Sequence, residues 1–293
     1  MNSKPTRTAN IIRQPGGVEA TDQVAVEEPL EIRVDDEPLA VTMRTPGHDA
    51  ELAAGFCFTE GIIVEPDELE RAEPCTLADY GNVVLVTLAG EARERQRQRA
   101  AITRRDFYMT SSCGLCGTTS IDRLARRVPP SQPTFAISGK VLIQLPAIMS
   151  AAQESFARTG GLHAAALFTP AGELRLLRED VGRHNAVDKL IGALLLSGQL
   201  PCGQLPWVLL VSSRASFELV QKAAMAGIGF LAAVGAPTSL AVDTAQRFGM
   251  TLAGFLREDR FNIYAHPERI CTDESETPAK EHQKSVATNA SGS

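Results

Sequence analysis

Two cysteines set three residues apart form the most reactive pattern in the chain. Residues 110–117 read Thr-Ser-Ser-Cys-Gly-Leu-Cys-Gly, so Cys113 and Cys116 flank Gly114 and Leu115. Such a pair supplies two of the four ligands of a structural zinc site, but the chain has no second Cys-x-x-Cys and no paired histidine to complete one. It is also the motif of dithiol oxidoreductases, associated with a βαβ pattern. Here the preceding run is rich in arginine and the flanks in glycine and serine. A third chemistry is a nucleophilic thiol that carries a transferable group, its thiolate favoured by Arg104 and Arg105 just upstream. The glycines and serines predict a mobile loop, which suits a carrier that must visit two partners. A pair of inert structural thiols is the remaining reading. Cys57, Cys75, Cys202 and Cys271 stand alone.

Three other runs carry anion-binding chemistry. Residues 180–189, Asp-Val-Gly-Arg-His-Asn-Ala-Val-Asp-Lys, open a helix. Gly182 permits close backbone approach there, free amides favour an anion, and Arg183 and His184 are placed to assist. The plainer reading is a helix start capped by Asp180. Residues 212–216, Ser-Ser-Arg-Ala-Ser, follow an apolar strand and precede a helix, at the edge where open α/β sheets hold ligands. Ser213 and Arg214 suit a phosphate, with simple capping by Ser213 or Ser216 as the alternative. Residues 255–260 are Phe255, Leu256, Arg257, Glu258, Asp259 and Arg260, where a strand ends in two arginines; an exposed turn explains them equally well. Three such places in one domain favour a large phosphorylated ligand. His163 reads as an active-site base or a partly buried histidine at a strand start, and Glu218 is equally two-sided. Zinc deaminases pair His-x-Glu with a later Pro-Cys-x-x-Cys. Here Ala164 and Ala165 follow His163, and Pro201-Cys202 lacks a second cysteine, so deaminase chemistry is unsupported although a fold of that type is not.

These residues require a scaffold, and its periods are readable. Residues 30–34 and 39–44 read as strands around the turn Asp35-Asp36-Glu37-Pro38. Asp49 is the expected N-cap of a helix carrying Leu52 and Phe56 at i, i+4 and stopped by Gly61. With a strand over 82–88 this makes a small α+β unit. Residues 91–105 hold Arg93, Arg95, Arg97, Arg99, Arg104 and Arg105, either a solvated face or an anion-facing wall beside the cysteines. Ile148, Ala152 and Phe156 fit one face of a helix ended by Gly160-Gly161. Strands over 163–169 and 174–177 surround Pro170-Ala171-Gly172, and a helix follows over 186–196, with Leu190 and Leu194 on one face. Strand–helix alternation then runs through 207–211, 217–226, 230–234, 240–248 and 251–256, with a last strand over 262–264. Such alternation requires parallel strands covered by helices. The expected organisation is a flexible arm (1–24), the small α+β domain (25–110), a cysteine loop and connector (111–145), a three-layer α/β domain with a mixed sheet (146–271), and a disordered tail (272–293).

The 293 residues, 44% hydrophobic and 22% charged, suffice for one large domain or two modest ones. No apolar run approaches the roughly 20 residues of a membrane span. The net charge of −6 gives no global case for nucleic-acid binding. Residues 1–14 lack an apolar core, so no secretory signal is expected. Six cysteines are too few for a disulfide scaffold, which points to free thiols in a reducing cytosol.

The runs Ser-Ser-Cys-Gly-Leu-Cys-Gly at 111–117, Gly-Gly-Leu-His at 160–163, Glu-Asp-Val-Gly-Arg-His-Asn-Ala-Val-Asp-Lys at 179–189, Ser-Ser-Arg-Ala-Ser-Phe-Glu at 212–218 and Tyr-Ala-His-Pro at 264–267 resemble, in order, the FdhD family of formate dehydrogenase accessory sulfurtransferases. The resemblance covers roughly residues 30–270. It implies a cytoplasmic homodimer with a cytidine-deaminase-like α/β domain and a smaller N-terminal α+β domain. It implies sulfur taken as a persulfide from a cysteine desulfurase, on Cys113 with Cys116 beside it. The sulfur passes to the molybdenum of a bis(molybdopterin guanine dinucleotide) cofactor needed by formate dehydrogenase. The family's cofactor-binding segment falls on residues 255–260, and guanosine diphosphate (GDP) is the expected fragment ligand. A non-catalytic chaperone for the molybdenum cofactor is the alternative from another class.

Overall fold

The computed structural model describes residues 4–76, 82–103, 130–131, 135–200 and 206–271. It opens on a hairpin of β1 (Thr6–Arg13) and β2 (Val18–Ala25), paired antiparallel over their whole length. This corrects the expected flexible arm. The strands carry little apolar surface, so no alternation betrays them. The signal was the turn sequence Gln14-Pro15-Gly16-Gly17 between them.

The first compact unit is a four-stranded sheet. Its strands are β3 (Glu28–Val34), β4 (Glu37–Arg44), β5 (Leu69–Pro74) and β6 (Val83–Leu88), in the order β4-β3-β6-β5. Asp35 and Asp36, both at positive φ, make the tight turn between β3 and β4. Helix α1 (Asp49–Thr59) follows, but Asp49 is not its cap. His48 holds that position in a left-handed conformation, while both Asp49 oxygens accept from Arg44 at 2.9 Å. The arginine-rich run forms α2 (Gly90–Thr103).

The second unit begins with β7 (Ile137–Ser138) and three short helices, α3 (Gly139–Leu142), α4 (Leu145–Ala152) and α5 (Glu154–Thr159). The single helix expected around Ile148, Ala152 and Phe156 is therefore broken at Gln153. Ile148 and Phe156 are exposed, and Leu145 and Met149 supply the buried contacts instead. Then come β8 (His163–Phe168), β9 (Leu174–Asp180), α6 (Arg183–Leu196), β10 (Val208–Val211), α7 (Phe217–Met225), β11 (Phe230–Ala233), α8 (Ser239–Arg247), β12 (Thr251–Gly254), β13 (Asn262–Ala265) and β14 (Ile270–Cys271). The large sheet runs β13-β12-β11-β10-β8-β9, with β10, β11 and β12 parallel and the others antiparallel.

Every residue of β10, β11 and β12 is buried, as parallel strands covered on both faces must be. Alternate residues serve two cores. Ala165, Leu167, Leu209 and Leu231 face a cluster with α6, α7 and α8. Ala164, Ala166, Leu210 and Phe230 face Leu142, Leu145 and Met149 on the other side. The large mixed sheet thus packs an apolar cluster on each face. The first cluster also takes in Leu30, Ile32, Leu52 and Phe58, so the small sheet and the large one share one core. Each fully buried Leu or Ile there contributes about 1.5–3 kcal/mol. Among the described residues no helix is long and apolar enough to cross a membrane.

Candidate functional site

The parallel strands fix where chemistry can gather. β10, β11 and β12 end at one edge of the sheet, and β8, antiparallel to β10 with Ala165 opposite Val211, starts there. Segments 160–163, 180–184, 212–216, 234–238 and 255–260 therefore line one rim. Three of them are tied by main chain. Gly235 N–H donates to the Ser213 carbonyl at 3.0 Å, Thr238 N–H to that of Ala215 at 3.0 Å, and Phe255 N–H to that of Gly235 at 3.0 Å. A Cβ on Gly235 would stand 2.9 Å from Arg214 Cα, so only glycine allows this approach. Phe255 turns the chain with φ 54° and leaves its ring exposed.

The start of α6 is held by buried polar groups. Asp180 and Lys189 are both fully buried, with Lys189 Nζ 2.7 Å from Asp180 Oδ2. The other carboxylate oxygen accepts from Gly182 N–H at 2.8 Å and Asn185 Nδ2 at 3.1 Å. Thr45 of the small unit donates its N–H to Asp180 and accepts the N–H of Val181. Asp180 thus braces the turn rather than capping the helix, whose N-cap is Gly182. The brace sets Arg183 and His184 at the rim. Arg183 Nε is buried without a hydrogen-bond partner, and so is His184 Nε2, which lies 4.0 Å from Glu218 Oε2. Burial, then the charges of Arg183 and Lys222, push the His184 imidazole down to about 4, so it is neutral near pH 7. Burial and Arg183 lower His163 as well. Arg183 is thus a cation whose charge disfavours the protonated form of both imidazoles, and it suits an anion.

Beside this cation opens a cleft of about 400 Å³ lined by Gln153, Phe156, Gly160, Gly161, Leu162, His163 and Ser212. Its wall follows from the helix break. Glu179 accepts the N–H groups of Ser155 and Phe156 at 3.0 and 2.7 Å, starting α5 afresh, and Gly160 ends it in a left-handed conformation. Ser212 Oγ accepts the Ala164 N–H at 2.9 Å, which ties β8 to the loop after β10.

The remaining predicted residues divide. Ser213 is buried, its hydroxyl donating to the Arg214 carbonyl, and Arg214 is exposed on the rim. Arg257 Nη1 donates to the carbonyls of Val234 and Leu256 at 2.8 and 3.1 Å and so braces the rim. Leu256 is buried; Glu258, Asp259 and Arg260 are exposed, with Arg260 Nη1 3.8 Å from Asp259. Cys113 and Cys116 lie outside the described residues. In α2, Arg93 lies 3.2 Å from Asp35, and Arg95 pairs with Glu68. The acids of the small unit thus engage two of the arginines that the sequence left as either a solvated face or an anion-facing wall. Among the described residues no three His, Cys, Asp or Glu side chains cluster as a metal site needs. In the sequence Phe156 reads only as part of a helix face, and Gln153, off that face, is not singled out, so neither points to the cleft.

An α/β protein whose cation and imidazoles gather at the carboxyl edge of a mixed sheet is the class that fold and site define. The chain belongs to the FdhD/NarQ family, whose model matches residues 25–271. The sulfur carrier protein FdhD of Streptomyces avermitilis is 51% identical over 272 residues, 90% of this chain and 95% of that protein. Its counterpart in Anaeromyxobacter dehalogenans is 46% identical over 267 residues, 89% of this chain and 92% of that one. The fold is shared with the crystal structure of a candidate formate dehydrogenase accessory protein from Desulfotalea psychrophila. That likeness has a TM-score of 0.68 at 24% identity and covers 91% of this chain and 98% of that one.

Proposed function

We propose that the protein carries sulfur from a cysteine desulfurase to the molybdenum cofactor of formate dehydrogenase, with Cys113 as the persulfide position. Family membership over residues 25–271, in a chain that has the Cys113-Gly-Leu-Cys116 motif, carries this reading. The Cys113 thiolate attacks the outer sulfur of the desulfurase persulfide. An S–S bond forms on Cys113, and the desulfurase cysteine leaves as thiolate. Attack by the Cys116 thiolate on Cys113 Sγ then forms a disulfide and expels hydrosulfide to the cofactor, so the cysteine pair supplies the two electrons of sulfide. A dithiol reductant resets the pair. The receiving substrate is the bis(molybdopterin guanine dinucleotide) cofactor, and Arg183 and Arg214 on the rim suit its phosphates. The cycle runs in the cytoplasm on a homodimer.

Intact mass after incubation with a desulfurase and free cysteine tests the reading. One added sulfur, removed by reductant and absent from Cys113→Ala, is the expected result. A wild-type protein that takes no sulfur yet binds GDP would instead be a cofactor chaperone.

A further inference from the structure

Helix α2 leads from the small unit toward Cys113, and little apolar contact holds it in place. By contrast, α1 buries Leu52 and Phe58, and α6 buries Leu190, Ile191 and Leu194. Of the α2 side chains described, only Ala92 is buried, and Ile102 is the only large apolar residue in the helix. Burial of apolar surface therefore cannot fix its position. Charge does so instead. Arg93 Nε lies 3.2 Å from Asp35 Oδ1, Arg93 Nη2 lies 3.7 Å from Glu70 Oε2, and Arg95 pairs with Glu68. The Arg93 contact is loose, since Arg93 Nε and Asp35 Oδ2 are buried without a hydrogen-bond partner. Ion pairs this open to water are weak, and salt screens them.

The chain is fixed up to the helix and free at its first residue. Ala89 N–H donates to the Glu68 carbonyl at 2.8 Å. Gly90 follows at φ 39°, with open space where a Cβ would stand. A glycine there can change its dihedrals without collision. The helix beyond it keeps its own preference for the helical state. Its alanines, arginines and glutamines are good helix formers. Glu91 stands four residues before Arg95, the order that supports a helix on its own, so Arg95 has a second acid to turn to when it leaves Glu68. At about 1.5 Å per residue, α2 is a stiff element roughly 20 Å long.

We infer that α2 is a lever, hinged at Gly90 and latched by Arg93 and Arg95 on Asp35, Glu68 and Glu70, whose release lets Cys113 collect sulfur from its donor. The inference rests on the sulfur transfer proposed above. A carrier that visits two partners needs two positions of similar free energy, and a latch of exposed charges supplies them.

Glu68→Gln combined with Glu70→Gln tests it, because the pair removes two latch charges and keeps every arginine. A glutamine carbonyl can still accept the Val64 N–H that Glu68 holds at 2.8 Å, so the fold is preserved. Spin labels on Gln96→Cys and Glu65→Cys, in the full chain with every native cysteine except buried Cys57 replaced by serine, report the position of α2. A short and a long distance are expected. The double variant should raise the ratio of long to short about tenfold, the combined weight of two exposed ion pairs, and about 1 M KCl should do the same to the parent. A single short distance that neither change moves overturns the inference. In the protein with its cysteines intact, the double variant should load persulfide on Cys113 several-fold faster from a limiting amount of desulfurase. An unchanged or slower rate also overturns it. A wild type that takes no sulfur at all would sink sulfur transfer, while the label distances still decide whether α2 moves.

Discussion

Gly55 of α1 and Gly192 of α6 meet backbone to backbone: a Cβ on either would lie 2.8 Å from the backbone nitrogen of the other and overlap a carbonyl beyond it. The two helices can cross this closely only because both positions lack a side chain. Neither neighbour can yield, since both are main chain. Gly55→Ala and Gly192→Ala should therefore each destabilise by about 3 kcal/mol, the upper end of ordinary overpacking. Urea denaturation of each variant checks this. An unchanged midpoint would mean that the helices cross elsewhere.

Lys222 of α7 ties a third helix to these two by charge. Its ammonium donates to Thr59 Oγ1 at 2.9 Å, Asp188 Oδ2 at 3.0 Å and Glu60 Oε1 at 3.1 Å, and these acceptors hold it charged against burial. Burial raises Asp188 to about 6 even with Lys222 beside it. Lys222→Met should cost about 3–5 kcal/mol at neutral pH, because a buried carboxylate loses its countercharge. Part of that loss should return as the pH is lowered from 7 toward 5 and Asp188 takes a proton. Adding Asp188→Leu should cost less than the sum of the single changes. Thermal melts at several pH values read all three outcomes.

Glu51 gives a pH dependence of the opposite sign. Burial alone would raise its carboxyl, but hydrogen bonds from Arg178 Nε and Nη2, aided by His48, bring it down to about 2. The folded protein holds this proton less tightly than the unfolded chain does. The stabilisation is complete above pH about 4.5 and is lost as pH falls toward about 2. With allowance for solvent at the rim of the pair, it amounts to about 1–2 kcal/mol. Glu51→Gln should flatten the acid limb of the stability curve by that amount, as measured by chemical denaturation between pH 2 and 6.

The rim arginines should be separable by affinity. Arg183→Ala and Arg214→Ala should each weaken GDP binding by roughly 1.5–3 kcal/mol, the worth of a charge-assisted hydrogen bond. Added salt should narrow the difference for exposed Arg214 more than for half-buried Arg183. Titrations at two ionic strengths measure this. Unaltered affinity in both variants would place the phosphates elsewhere.

Thiol reactivity provides the last check. Cys57 is buried, and burial with Asp188 and Glu60 nearby pushes its thiol far above the ordinary range. Cys271 is exposed and should be replaced by serine before the experiment. Brief alkylation near neutral pH should then label Cys113 or Cys116 well before Cys57. Peptide mapping that finds Cys57 first would remove the privilege of the paired cysteines.

The apolar strands from His163 onward were legible because continuous runs such as Val-Leu-Leu-Val at 208–211 have one stable place, inside a covered sheet. The polar pairs β1 and β2, and β5 with leucine and alanine as its apolar residues, were not, since pairing rather than burial forms them. The break at Gln153 was hidden because the period continues across it, and only Glu179, remote in sequence, reveals why α5 starts again. Asp188, Lys189 and Lys222 carry no sign of burial in the sequence, although all three are buried. Their partners lie on other elements, so no spacing discloses that they are buried. At the site, the helix-start signals around Arg183 and Arg214 were visible locally. The cleft was not, because it forms only where β8, α5 and the loop after β10 meet.

The rim itself is woven from peptide groups: Gly235 to Ser213, Thr238 to Ala215, Phe255 to Gly235. A contour made of main chain survives exchange of the side chains that project from it. Arg214, Glu258 or Asp259 can drift in evolution, or be scanned one at a time, and each change removes only its own chemistry. Gly235 and Gly254 are the exceptions, closed to change because a Cβ would strike Arg214 or Pro237 at 2.9 Å. Relatives can thus diverge in what they hold at this rim while inheriting the same shape to hold it with.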